Sequence, residues 1–121
     1  MKAKVVFIAH PISGDVKGNL EKIANIIRNI NILRDNVIPF APYFSDCVAL
    51  NDKNKWERER GIKNTEYFFR LGIIDELWLY GDVITNGMKS EILLAKELNI
   101  PIIPQSVSIS NEMVREVLNG R

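Results

Sequence analysis

The residues best placed to do chemistry lie where an apolar strand gives way to a helix. The strand is Leu77-Trp78-Leu79-Tyr80, and the stretch after it is Thr85-Asn86-Gly87-Met88-Lys89-Ser90-Glu91. If the helix runs from about Gly87 to Asn99, successive residues about 100° apart place Lys89, Ser90, Lys96 and Glu97 together on a solvent face. Glu91 falls on the other side, between Leu98 and Ala95 and next to Met88, where the pattern asks for an apolar residue. A capping box does not account for it, because the residue three positions earlier is Met88 rather than Ser or Thr. Helix-dipole stabilisation or a buried ion pair are the structural alternatives. The reading adopted here is a site carboxylate at the mouth of a sheet, with Gly87 allowing close approach to the backbone.

The elements that must hold Glu91 are legible around it. Val5 to Ala9 is a continuous apolar run, as expected of a strand buried on both faces of a parallel sheet. The turn-rich segment His10-Pro11-Ile12-Ser13-Gly14-Asp15 follows. A helix is then expected over Asn19 to about Asn31, with Leu20, Ile23, Ala24, Ile27 and Ile30 as its apolar stripe. Val37-Ile38-Pro39-Phe40 reads as a short strand at an edge, on account of its proline. Ala41 to about Lys55 has no clear period and reads as a long covering loop. A helix is expected from Trp56 to about Leu71, with Ile62, Thr65, Phe69 and Leu71 inward and Gly72 as its stop. Glu76 to Tyr80 is the third strand and Ile100 to Pro104 the fourth. Ser110 reads as the N-cap of a last helix over Asn111 to Leu118.

Strands alternating with helices predict an α/β three-layer sandwich, a flavodoxin- or Rossmann-like parallel sheet of four to five strands in the order 2-1-3-4. The switch point then lies between the first and third strands, and a ligand should bind beyond their carboxyl ends. That rule brings His10–Asp15 and Gly81–Glu91 together.

Bulk composition narrows the function classes. A chain of 121 residues reads as one domain over 1–121, and 46% hydrophobic with 26% charged residues is ordinary for a globular protein. A net charge of +1 leaves no electrostatic footprint for a nucleic-acid polymer or an anionic membrane. No apolar run approaches the roughly 20 residues needed to span a bilayer, and Val5–Ala9 is too short for a signal peptide. The one cysteine, Cys47, excludes an internal disulfide and a cysteine-rich zinc site, so a cytoplasmic setting is expected. No metal or cofactor is expected.

Lys4-Val5-Val6-Phe7-Ile8-Ala9-His10-Pro11, Ile74-Asp75-Glu76-Leu77-Trp78-Leu79-Tyr80-Gly81 and Asn86-Gly87-Met88-Lys89-Ser90-Glu91-Ile92-Leu93-Leu94-Ala95 together resemble the nucleoside 2-deoxyribosyltransferase-like superfamily. The resemblance spans about residues 4 to 103. It is strongest to the superfamily's small, often phage-borne domains, and extends to its deoxynucleoside 5'-monophosphate N-glycosidases. It implies that Glu91 is the nucleophile on the anomeric carbon of a 2-deoxyribosyl group, and that His10, Ser13, Gly14 and Asp15 lie near sugar or phosphate. It also implies a nucleoside or nucleotide substrate and a homodimer or larger homo-oligomer. One position departs from the pattern: Tyr67 stands where the glycosidases carry an aspartate, eight residues before Asp75, and Asn64, Glu66 or Asp82 are candidate substitutes.

The remaining candidate ligand contacts are Pro11, Tyr43, Trp56, Arg60, Asp82, Asn86, Gly87 and Met88. Ser13 and Gly14 before a helix could cradle an anion. His10 could bond a ligand or serve structure. Arg60 and Arg58 could reach a phosphate or stay solvated, and Trp56, Tyr43 and Phe44 could stack on a base or pack in the core. Asp75 belongs at the strand entrance, away from the site. The expected activity is cleavage or transfer at an N-glycosidic bond. The alternative is a non-catalytic module that senses or sequesters a nucleotide-derived ligand in the same pocket.

Overall fold

A strand that is apolar on both faces can be satisfied only inside a covered parallel sheet, and Val6, Phe7, Ile8 and Ala9 are wholly buried. The computed structural model describes residues 2–51 and 53–119. Among these, β1 (Lys4–Ala9), β2 (Val37–Phe40), β3 (Glu76–Leu79) and β4 (Ile102–Pro104) form one parallel sheet in the order β2-β1-β3-β4. The helices are α1 (Val16–Leu33), α2 (Tyr43–Ala49), α3 (Lys55–Arg70), α4 (Asn86–Glu97) and α5 (Val107–Asn119). The expected α/β class and strand order are those observed.

The period-two alternation of the strands sorts their side chains into two clusters. Phe7, Ala9, Leu77 and Leu79 join Tyr43 of α2, Phe69 of α3 and Met88 and Ala95 of α4. Val6, Ile8 and Trp78 pack on the other side with Ile26 and Ile30 of α1. Trp78 is closed over by Lys4 and Arg34, 5.9 and 5.3 Å from its ring, and donates its indole N–H to Glu76.

The entrance end of the sheet is fixed by Asp75, whose carboxylate accepts the Val5 backbone N–H at 2.7 Å. The exit end is tied together by backbone bonds, Tyr80 N–H to the Ala9 carbonyl and Gln105 N–H to the Leu79 carbonyl, each 2.9 Å. Gly72, at φ +76°, follows α3 as its stop, and Asn99, at φ 58°, closes α4 in the left-handed region.

Several boundaries differ from the sequence reading. The stretch 41–55 is not a long loop, because Tyr43–Ala49 is a helix of seven residues. Two turns are too short to display a 3.6-residue period, and its N-cap, Pro42, offers no side-chain acceptor. α1 begins at Val16 rather than Asn19 because Asp15 caps it, accepting the Gly18 N–H at 3.1 Å. Of the expected stripe, Leu20, Ile23, Ile27 and Ile30 pack inward and Ala24 is exposed, while Ile26 packs inward in addition. In α3, Thr65 and Phe69 are buried as expected, whereas Ile62 and Leu71 are exposed. α5 starts earlier than expected because Ser106, not Ser110, is its cap, and the Ser106 hydroxyl accepts the Ile109 N–H at 3.1 Å.

Candidate functional site

α4 is positioned from its first turn. Thr85 is the N-cap, in extended backbone, and its hydroxyl accepts the Met88 N–H at 3.3 Å. Met88 and Ala95 are almost completely buried and anchor one face of the helix. Glu91 lies three residues after one and four before the other, so it projects from that same face. The residue keeps partial exposure, yet burial around its carboxyl pushes the pKa up to about 8. No hydrogen bond joins the Glu91 carboxyl to the described residues, and no fully buried polar side-chain atom among them lacks a partner. The carboxyl is therefore enclosed by protein but still in touch with solvent. At neutral pH it is mainly protonated.

The phenol of Tyr43 lies within electrostatic reach of Glu91. The phenol donates to the Ile8 carbonyl near the exit end of β1 at 2.6 Å. Its pKa is raised by burial first, then by the charge of Glu91, then by Cys47. Glu91 on α4, Tyr43 and Cys47 on α2, and the end of β1 thus form one electrostatic neighbourhood. Cys47 was not singled out from sequence as a site neighbour. Its signal was the four-residue spacing from Tyr43, meaningful only once α2 is known to be helical.

The two loops predicted to meet do meet. Gly81 has φ +95°, and a Cβ on it would lie 2.7 Å from Pro11 Cδ, so the close approach of the loops depends on a glycine there. His10 is buried beside this contact, with Nδ1 2.7 Å from the Pro11 carbonyl. A carbonyl oxygen can only accept, so Nδ1 carries the hydrogen.

Other candidates serve differently. Asp15 uses its carboxylate as the α1 cap, which places negative charge where an anion would sit and removes the expected anion cradle at Ser13 and Gly14. Ser13, Gly14, Asp82, Asn86 and Gly87 are exposed around the mouth of the site. At Gly87 a Cβ would meet only the Thr85 hydroxyl at 3.9 Å, so packing within the protein does not require a glycine there. Met88 is core, and Tyr43 packs its ring against Phe7 at 5.7 Å rather than lying open on a covering loop. Trp56 is 71% exposed, so it is not core packing. Arg60, exposed one turn later, shares its face of α3.

Tyr67 lines a different surface. It is 65% exposed and, with Pro42, Ser45, Asp46, Asn64 and Phe68, lines a concavity of about 490 Å³ between α2 and α3. That concavity contains none of the candidate site residues, and the chemistry is better located at the sheet exit, where the ionisable groups converge. The proposed substitutes for the missing aspartate are engaged elsewhere or open to solvent. Asn64 donates to Asp46 at 3.3 Å, Glu66 pairs with Arg70 at 2.9 Å, and Asp82 is exposed. No three His, Cys, Asp or Glu side chains among the described residues are grouped to hold a metal ion. No helix among those residues is long and apolar enough to cross a membrane.

Fold and site together define a doubly wound, Rossmann-like α/β domain with a buried carboxylate at its topological switch point. The chain belongs to the family described as Domain of unknown function (DUF7768), whose model matches residues 4–105. A search of curated proteins finds no match.

Proposed function

We propose that the protein cleaves or transfers at the N-glycosidic bond of a 2'-deoxynucleoside or its 5'-monophosphate, with Glu91 as nucleophile. The observation that carries this reading is the Glu91 carboxyl itself, buried far enough to raise its pKa to about 8 yet with no hydrogen bond to the described residues. A carboxyl used only for structure would be expected to have a cap, a lysine or an arginine as partner. This one stands at the switch point, where ligands of open α/β sheets bind.

In its ionised form Glu91 attacks the anomeric carbon. The C–N bond breaks, the electron pair leaves with the base, and the base nitrogen takes a proton from solvent. Positive charge growing on the sugar in the transition state favours the carboxylate over the neutral acid, offsetting the burial that disfavours it. Tyr43 keeps its phenol neutral and tied to Ile8, so it packs beside Glu91 without adding a second negative charge. On the resemblance, the working form is a homo-oligomer; the single cysteine fits a reducing, cytoplasmic setting.

The position of Tyr67 favours a second reading, a module that binds a nucleotide-derived ligand without cleaving it. The residue at the place of the relatives' aspartate faces another concavity and offers Glu91 no help. Chromatographic detection of free base, from a panel of deoxynucleosides, ribonucleosides and their 5'-monophosphates, separates the two. The glycosidic reading predicts base release that Glu91→Gln abolishes while remaining folded. Ligand-dependent thermal stabilisation without release would establish the second.

A further inference from the structure

If Glu91 forms a covalent glycosyl intermediate, a second group must take the proton of the water that resolves it, and the aspartate position holds Tyr67, which lines another concavity. Among the described residues, the titratable side chains near the sheet exit that are at least partly buried include, besides Glu91 and the bound phenol of Tyr43, Cys47, Tyr80 and His10, and of these three only His10 is buried and carries a basic nitrogen. It directly follows the last residue of β1, at the loop whose Pro11 packs on Gly81.

Its ring is oriented by the Nδ1 hydrogen bond to the Pro11 carbonyl, and in the neutral ring that bond places the hydrogen on Nδ1 and the lone pair on Nε2. Nε2 makes no further hydrogen bond to the described residues. It is not sealed off either, since no fully buried polar side-chain atom among those residues lacks a partner. The small exposed part of His10, 8% of the residue, therefore includes this nitrogen. A buried imidazole locked through one nitrogen, with the other open to solvent as an acceptor, has the form of a general base.

We propose that His10 is a catalytic residue of the second half-reaction, in which Nε2 takes the proton from the water that attacks the glycosyl–Glu91 intermediate. The inference rests on the glycosidic reading of Glu91. The water oxygen forms a bond to the anomeric carbon and the bond from that carbon to the Glu91 oxygen breaks. Its electron pair returns to the carboxylate, and the water proton passes to Nε2. The imidazolium then gives that proton to solvent. If the acceptor is a second base, its ring N–H replaces water and the same nitrogen takes the proton.

The role separates the two half-reactions, and the test reads them apart. His10→Asn keeps an amide N–H near the place of Nδ1, able to donate to Pro11, and removes Nε2. With a substrate that the wild type hydrolyses, the expected result is a burst of free base equal to the enzyme, then slow turnover. The fall in kcat is about 10²- to 10⁴-fold, as for loss of a general base. KM falls with it, so kcat/KM for base release is unchanged. Intact-protein mass spectrometry shows one added glycosyl group, and azide, a nucleophile with no proton to lose, restores turnover.

His10→Gln, which reaches the place of Nε2 but cannot take a proton, gives the same split and guards against a folding defect in the first variant. Unchanged kcat in either folded variant overturns the proposal. So does a joint fall of kcat and kcat/KM without burst or azide rescue, which would place His10 in binding or structure while leaving Glu91 as nucleophile. Absence of base release from the wild type would instead remove the glycosidic reading, and this role with it.

Discussion

The raised pKa of Glu91 ties stability to pH, independently of any substrate. Its ordinary value is 4.5 and burial lifts it to about 8 in the folded chain. Between those values the native state binds more protons than the unfolded one, so stability falls as pH rises. Below about 4.5 both states are protonated and the stabilisation is fully present; above about 8 both are ionised and it is lost. Glu91→Gln cannot ionise, so its melting temperature is predicted to gain on that of the wild type from pH 4.5 to 8 and to keep a constant lead above that range. A difference between the two that does not change with pH would contradict burial as the cause. Tyr43 sharpens the site differently: bonded to Ile8 and raised by burial, it stays neutral across this range. Of the residues at this site, Glu91 and His10 were legible in sequence because each interrupts or ends an apolar pattern. Tyr43 was legible as a candidate, but the choice between stacking on a ligand and packing in the core was not, since nothing in its neighbours announces α2.

The elements divide their labour between the two ends of the sheet. At the entrance, Asp75 holds the Val5 N–H; at the exit, α4 presents Glu91 behind the Thr85 cap. Asp75→Ala is predicted to cost about 0.5–1.5 kcal/mol through the lost hydrogen bond to the Val5 N–H, with turnover per folded molecule unchanged. Denaturant titration and base-release kinetics on the same preparation check both halves, and lost turnover in a folded Asp75→Ala protein would contradict the assignment of ends. Strands β1 and β3 were readable because Val5–Ala9 and Leu77–Leu79 are unbroken apolar runs, and the α1 and α4 patterns because burial imposes a period on many residues at once. α2 was not, since seven residues hold too few repeats, and its partner α3 exposes Ile62 and Leu71, which periodicity alone placed inward. Trp56 and Arg60 illustrate the same limit: residue type suggested a ligand contact, while the exposed face of α3 is set by packing that sequence does not display.

Across the whole molecule, the strand order carries the site. Because the chain crosses from β2 past β1 to β3, loops more than sixty residues apart in sequence meet at Pro11 and Gly81. Gly81→Ala faces two obstacles there, a left-handed backbone and a clash with the Pro11 ring, whereas Gly72→Ala, at φ +76° with nothing within 4 Å, meets only the first. Both variants are predicted to lose about 1–2 kcal/mol from backbone strain. Gly81→Ala should lose more and also lose turnover, and equal effects in the two would show that the loop contact does not matter.

The central claim is that Glu91 becomes covalently attached to the sugar. It is tested most directly by incubating the protein with a substrate carrying fluorine at C2 of the sugar, which slows breakdown of the intermediate, and mapping the product by peptide mass spectrometry. The account predicts one glycosyl group on the peptide containing Glu91, absent from Glu91→Gln. Base release with no adduct, or an adduct that persists in Glu91→Gln, would contradict it.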